Sequence, residues 1–273
     1  MSEPSREQPS SGWIAPLPVG GRSFWQLLAP FGVPYALYVA VPSLVPSSFE
    51  PWQGQAIRFV AVLASLLFFR RSYATVFRSP ADPSKRRAAF LLPLLLAPLA
   101  LVLWIAPYAL VLLSRKLPAD AAEAAGWLGH ANALVERFPA GRPYAIFRLA
   151  NSVLLAPLVE ELLMRAHLPH WMEQTAEKAK RDKVDWDRVV FSTLDEVPHA
   201  LSAPPTRWAA TLPATIAFAA GHVPAEYPSA AIYYLLATWL YRRTRSFGAC
   251  VAVHVLVNLL VGLLALCGWT FLW

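Results

Sequence analysis

The run Leu154-Leu155-Ala156-Pro157-Leu158-Val159-Glu160-Glu161-Leu162-Leu163-Met164-Arg165 decides how this chain is read. It lies in an apolar stretch from Tyr144 to Leu168, and a helix needs about 20 apolar residues to cross a bilayer. A carboxylate near mid-membrane costs about 2.5–3.5 kcal/mol on insertion scales, so two adjacent ones need partners or a task. Neighbours on a helix point about 100° apart, so Glu160 and Glu161 cannot share one role. Glu161 and Arg165 are i and i+4 on one face, in the favourable acid-first order. We read Arg165 as neutralising Glu161, which leaves Glu160 to face something else.

Working outward, the whole chain has the same character. Of its 273 residues, 56% are hydrophobic and only 15% charged, with a mean hydropathy of +0.42. Soluble domains carry about 25% charged residues. Too few polar groups remain to coat a globule, and the hydrophobicity excludes disorder for the bulk of the chain. The two cysteines, Cys250 and Cys267, share one apolar stretch and make no disulfide scaffold. They read as buried free thiols. The net charge of +7 does not form a basic stripe interleaved with aromatics, so no nucleic-acid partner is expected. The class is an all-α integral membrane protein, in contact with the lipid bilayer over most of its length.

Residues 1–23 are polar and rich in Ser, Pro and Gly, and read as a disordered cytoplasmic tail. One domain, 24–273, follows. Its apolar stretches run Phe24–Pro46, Gln53–Phe69, Ala88–Ser114, Tyr144–Leu168, Trp208–His222, Pro228–Tyr241 and Phe247–Phe271. Loop 70–87 carries six bases against Asp82, and loop 169–207 and the turn at Arg242, Arg243 and Arg245 are also basic. The intervening connections lack Lys and Arg, except for a mixed loop 115–143. This alternation satisfies the positive-inside rule with about seven transmembrane helices in a bundle and a cytoplasmic amino terminus. Residues Trp171–Arg188 read as an amphipathic helix against the headgroups or as a solvated connector.

Two histidines lie inside apolar stretches. His222 closes Phe218-Ala219-Ala220-Gly221-His222, whose small residues admit another helix closely. His254 and Asn258 are i and i+4 and share a helix face. His130, His167, His170 and His199 fall in loops or at interfaces and receive no role. Marks of other membrane chemistries are missing: no HExxH helix, no GxSG run, no intramembrane aspartate pair, no Gly-rich phosphate loop.

The order EExxxR at Glu160–Arg165, FxxxH at Phe218–His222 and HxxxN at His254–Asn258 resembles the CPBP group of intramembrane proteases. That group includes the type II CAAX prenyl endoprotease and the bacterial Abi proteins. Pro51-Trp52, Arg70–Tyr73, Tyr241–Ser246, Ala249-Cys250 and His254 are similar to the CAAX-protease-related proteins that accompany exosortase in PEP-CTERM sorting. The resemblance implies a peptide-bond hydrolase of the bacterial inner (cytoplasmic) membrane, acting on a membrane-presented peptide or protein, with exosortase components as partners. By motif, Glu160 is the general base, His222 its partner, and His254 with Asn258 the oxyanion stabilisers, while Glu161, Arg165 and Phe218 support them. Members are called metalloproteases, and Glu160, His222 and His254 would make an open three-ligand set for zinc or another divalent metal. Spacing alone does not separate metal-bound from metal-free water.

Measured at 1.5 Å per residue from the basic turns, His222 lies roughly 22 Å deep, His254 roughly 13 Å, and Glu160 only about a turn and a half. For them to meet, the fifth segment must begin above the membrane, and Val223–Tyr227 must be irregular backbone inside a cavity. Two other readings compete: a non-enzymatic adaptor or immunity-type protein with a structural polar cluster, and a haem carrier using His222 and His254.

Overall fold

A computed structural model describes residues 24–74, 76–114, 142–183 and 208–266. The tail 1–23, most of loop 115–143, residues 184–207, His130, His199 and Cys267 lie outside it. Every regular element among the described residues is helical. Helix α1 spans Phe24–Leu44, α2 Pro51–Phe68 and α3 Pro83–Ser114. A 3-10 turn at Arg70–Tyr73 follows α2. Asp82 caps α3: its Oδ1 accepts the Ser84 N–H at 2.8 Å and the Ser84 hydroxyl at 2.7 Å, which holds its carboxyl below the ordinary range.

A continuous helical run then crosses the molecule. It comprises α4 (Arg142–Ala150), a π-turn (Asn151–Leu155), α5 (Ala156–Glu160), a second π-turn (Glu161–His167) and α6 (Leu168–Asp182). The fourth apolar segment and the expected headgroup helix are therefore one piece, not two. Nothing between Leu168 and Trp171 breaks the helix, since Pro169 sits in the first turn of α6, where its missing N–H is tolerated. Lys183 ends the run in the left-handed conformation, with its N–H on the Ala179 carbonyl. Helices α7 (Trp208–Ala220), α8 (Tyr227–Thr244) and α9 (Phe247–Leu266) complete the described chain, with a 3-10 turn at Pro224–Glu226 between α7 and α8.

The run separates two apolar clusters. Leu155, Val159, Leu162 and Ala166 recur at helical spacing and pack with Phe31 of α1 and Val62 and Leu66 of α2. Met164 faces the other way, into a cluster with Ala97, Ala100, Ala214, Phe218, Ala230, Ala237, Ala249 and Val253. Its many alanines let α3, α7, α8 and α9 approach closely. The outer faces are apolar: Phe90, Leu95 and Val102 on α3 and Leu212 and Ile216 on α7 are exposed. Such a surface fits contact with lipid or with another protein better than contact with water. Two helices, Pro83–Pro107 and Phe247–Leu266, are long and apolar enough to cross a bilayer by length and composition, each with a mean hydropathy of 2.5. The other segments fall short of that measure, because α2 carries Gln53, Gln55 and Arg58, α8 ends in Arg242 and Arg243, and the central run is interrupted by its acids.

Proline is abundant, and the fold deals with it in one consistent way. Pro34 cannot donate to the Pro30 carbonyl, and the Tyr73 hydroxyl donates to that oxygen instead. In the first π-turn the Ala156 N–H bonds Asn151 O, and the next residue, Pro157, has no N–H for Ser152 O. Asn258 Nδ2 of α9 supplies it at 2.7 Å. In the second π-turn the Leu168 N–H bonds Leu163 O, and Pro169 leaves Met164 O without a helical donor. The Tyr234 hydroxyl of α8 supplies it at 2.6 Å. Three carbonyls freed by proline thus become three cross-links between elements, as a medium without water requires.

Candidate active site

Glu160 closes α5 and Glu161 opens the second π-turn, so the widened turn begins at the acid pair. Glu161 points into the protein and is 1% exposed. Arg165 Nε pairs with its Oε2, and Arg165 Nη2 donates to Oε1 at 3.3 Å. His254 Nδ1 donates to Oε1 at 3.1 Å, and the Tyr233 hydroxyl lies 3.4 Å from the same oxygen. Arg165 is held in turn from α8. Its Nη1 donates to Tyr234 O at 3.1 Å and to Thr238 Oγ1 at 2.6 Å, and the guanidinium lies 4.4 Å over the Tyr234 ring. A carboxylate with four donors around it is fully occupied.

Glu160 is placed differently. Its side chain keeps 16% exposure, and its Oε2 is 3.7 Å from His254 Nε2. His222 and Glu226 lie within electrostatic reach of it, as do Tyr35 and Tyr38 of α1. His254 therefore stands between the two acids, with one ring nitrogen towards each. Tyr233 packs against its ring at 4.9 Å.

His222 sits at the end of α7, between Phe218 at 4.9 Å and Trp104 at 5.6 Å, ring to ring. Its Nδ1 donates to the Phe218 carbonyl at 2.9 Å. A carbonyl only accepts, so the proton of the neutral ring is on Nδ1 and Nε2 presents a lone pair. Gly221 stands close beside it, since an added Cβ would lie 3.1 Å from the Tyr35 hydroxyl, which would have to give by a few tenths of an ångström. Phe218 is buried against Tyr234 and His254 as well as His222, and wedges the three rings apart. Asn258, one turn beyond His254, commits one amide hydrogen to Ser152 O and retains the other.

The structure thus gathers Glu160, Glu161, Arg165 and His254 into one hydrogen-bonded or electrostatic cluster, with His222 at its margin and Asn258 tied to the π-turn. Among the described residues no three His, Cys, Asp or Glu side chains come together in a way that would hold a metal ion. His254 Nδ1 is engaged by Glu161 and His222 Nδ1 by Phe218 O, which leaves Nε2 as the available nitrogen of each ring. The bond to Glu161 also removes His254 Nδ1 as an axial haem ligand, and Nε2 faces Glu160.

Several contributors lie outside the sequence motifs. Tyr233, Tyr234 and Thr238 of α8 hold the Glu161–Arg165 pair, and Tyr35 and Tyr38 of α1 lie within electrostatic reach of Glu160. The signal available for the first group was the i, i+4 spacing of Tyr234 and Thr238 on one face of α8. Nothing in the sequence of α1 marks its tyrosines.

Residues 142–260 match the family model described as type II CAAX prenyl endopeptidase Rce1-like. The chain carries an Rce1-like segment. That segment runs from α4 into α9 and includes all three motifs, Glu160–Arg165, Phe218–His222 and His254–Asn258. Helices α1–α3, with Tyr35 and Tyr38, lie before the Rce1-like segment. No curated protein and no solved structure matches the chain significantly.

Proposed function

We propose that the protein is an intramembrane endopeptidase that cleaves a membrane-presented protein tail with water activated by Glu160 and His222. The observation that carries the reading is the division of the acid pair. Glu161 is saturated by Arg165, His254 and Tyr233, while Glu160, beside it, has one histidine contact and an open side.

The chemistry follows from those positions. Glu160 takes a proton from water as the oxygen attacks the scissile carbonyl carbon. His222 orients that water through the Nε2 lone pair. His254, held by Glu161, carries a proton on Nε2 when charged, and donates it as a hydrogen bond to the oxyanion together with the second N–H of Asn258. One such donor in a dry site is worth about 3–4 kcal/mol at the transition state. Collapse of the intermediate breaks the C–N bond, and the leaving amine takes the proton from Glu160. A divalent metal such as zinc is the competing source of activated water. Cleavage lost to a chelator and restored by zinc would establish it.

The bundle is proposed to cross the bacterial inner membrane about seven times with a cytoplasmic amino terminus, following the charge alternation of its loops. The finer likeness to exosortase-linked members makes a sorted envelope protein the first substrate class to try. The decisive experiment is Glu160→Gln in the full chain, assayed in detergent or liposomes against candidate membrane peptides. Loss of hydrolysis with unchanged thermal unfolding supports Glu160 as base. Retained hydrolysis removes it.

A further inference from the structure

Tyr35 lies in α1, before the Rce1-like segment, and its ring packs against both apolar clusters. The hydroxyls of the tyrosines around it are engaged. Tyr38 hydrogen-bonds Arg58, Tyr73 donates to Pro30 O, Tyr234 donates to Met164 O, and Tyr233 lies 3.4 Å from Glu161 Oε1. The Tyr35 hydroxyl makes no hydrogen bond among the described residues. It stands at the turn that carries His222, since a Cβ added to Gly221 would lie 3.1 Å from it. The N–H groups of that turn have no need of it: Gly221 bonds Phe218 O at 3.2 Å, and His222 bonds Ala219 O at 2.9 Å. Glu160 is within electrostatic reach of Tyr35. Tyr35 is only half-buried, so water reaches it.

Packing fixes where this hydroxyl stands. Helix α1 lies against α5, which ends in Glu160, and against the second π-turn. Phe31, one turn before Tyr35 on the same face, stacks on the His167 ring at 4.9 Å and meets the Tyr73 ring edge-on at 5.9 Å. Tyr73 also holds Pro30 O. The turn of α1 that leads to Tyr35 is thus pinned to the end of the second π-turn. We propose that the Tyr35 hydroxyl is the third ligand of the water that Glu160 and His222 activate. This rests on the endopeptidase reading. A bound water makes about three hydrogen bonds. Glu160 and the Nε2 lone pair of His222 both accept, so they take its two hydrogens. Two acceptors alone leave the oxygen free to swing about the line between them. A phenol keeps its proton at neutral pH and donates it as a hydrogen bond. Tyr35 therefore occupies one lone pair and leaves the other aimed at the scissile carbonyl carbon, the alignment that a near-attack geometry needs. As the new C–O bond forms, the hydrogen on Glu160 passes to that carboxylate. The second hydrogen stays on the oxygen against His222, and Tyr35 keeps its own proton throughout. His254 and Asn258 reach the oxyanion from α9, so the two sets of donors do not compete.

The test uses the full-length protein in detergent and a pool of N-palmitoylated peptides of mixed sequence, with kcat and KM measured on the member cleaved fastest. Tyr35→Phe is expected to lower kcat by about ten- to a hundredfold, the worth of one hydrogen bond to a group gaining charge, with KM within about twofold and thermal unfolding unchanged. 4-Aminophenylalanine at position 35 puts an N–H donor in place of the hydroxyl and should restore most of kcat. 4-Methylphenylalanine, of similar size and without a donor, should not. Should Tyr35→Phe fail to fold, Gly221→Ala carries the same test by displacing the hydroxyl, with the same split between kcat and KM. Full kcat in Tyr35→Phe overturns the proposal and leaves the endopeptidase standing. A raised KM with kcat kept would make the hydroxyl a peptide contact, and rescue by the methyl analogue would make it a filler of space; either result also overturns the proposal. Failure of the unsubstituted protein to cleave any peptide sinks the endopeptidase reading itself, and the role of Tyr35 with it.

Discussion

Asn258 faces two tasks, and one experiment separates them. It is a candidate oxyanion donor, and its Nδ2 also satisfies Ser152 O at 2.7 Å, the carbonyl that Pro157 leaves without a helical donor. Replacing Asn258 with Leu should expose that carbonyl to an apolar setting at a cost of about 1–3 kcal/mol. For a chain of this size that lowers the thermal midpoint by about 2–4 °C per kcal/mol. The cost depends on the proline. In Pro157→Ala the new N–H can bond Ser152 O in the π register, so Asn258 is no longer needed there. The cycle of Asn258→Leu, Pro157→Ala and the double variant should therefore show a coupling of about 1–2 kcal/mol, well above the roughly 0.5 kcal/mol expected of independent sites. Thermal unfolding in detergent, followed by tryptophan fluorescence, reads it directly. Additive effects would refute the account of the π-turn. Hydrolysis is measured on the same four proteins. If Asn258 also holds the oxyanion, the double variant regains stability but not activity, and recovery of both would reduce Asn258 to a structural link.

The same logic applies at the second π-turn: Tyr234→Phe should cost about 1–3 kcal/mol by orphaning Met164 O, and Pro169→Ala should relieve it in a thermal-unfolding cycle. At the buried ion pair, Arg165→Leu strands Glu161 and should cost about 3–5 kcal/mol, whereas Glu161→Leu with Arg165→Leu should regain much of that. If the double variant unfolds no later than Arg165→Leu alone, the pairing is not what stabilises the turn. Gly221→Ala should press on the Tyr35 hydroxyl and lower the hydrolysis rate more than the melting temperature, and equal effects on the two would deny the close approach any role at the site. A reporter fused after Trp273 should read as periplasmic and one inserted in loop 70–87 as cytoplasmic, and reversed signals would sink the seven-crossing topology.

Much of the helical layout could be read from hydropathy, because a chain that buries itself in lipid must keep its helices apolar over long stretches. The acid pair could be read as well, since charge in such a stretch stands out against its cost. What escaped was the second partner of each polar group. Tyr233 and Tyr234 on α8, like Tyr35 and Tyr38 on α1, look like ordinary membrane aromatics until the packing sets the first two hydroxyls beside Glu161 and Met164 O and brings the other two rings within electrostatic reach of Glu160. A tyrosine carries one polar atom at the end of a large apolar ring, so its role is decided by tertiary placement and not by its neighbours in sequence.

The π-turns show why proline and site belong to one argument. Pro157 and Pro169 each follow a π-turn by two residues, and the acid pair lies between them. Each widened turn moves the hydrogen-bond register by one residue, and the proline then leaves a single carbonyl open to a neighbouring helix. Asn258 and Tyr234 answer from α9 and α8. Asn258 lies one helical turn beyond His254, and Tyr234 lies beneath Arg165, so both bonds are made beside groups of the candidate site. Fixing α8 and α9 to the central run at these two points sets the depth of His254 against Glu160 and Glu161. The distances of 3.1 Å and 3.7 Å from its two ring nitrogens to the two acids follow from that placement. A variant with alanine at both Pro157 and Pro169 should therefore fold and yet lose hydrolysis, because the new N–H groups would bond Ser152 O and Met164 O within the run, release Asn258 and Tyr234, and free α8 and α9 to change the depth of His254. Full activity in that variant would show that the histidine is positioned by α9 alone.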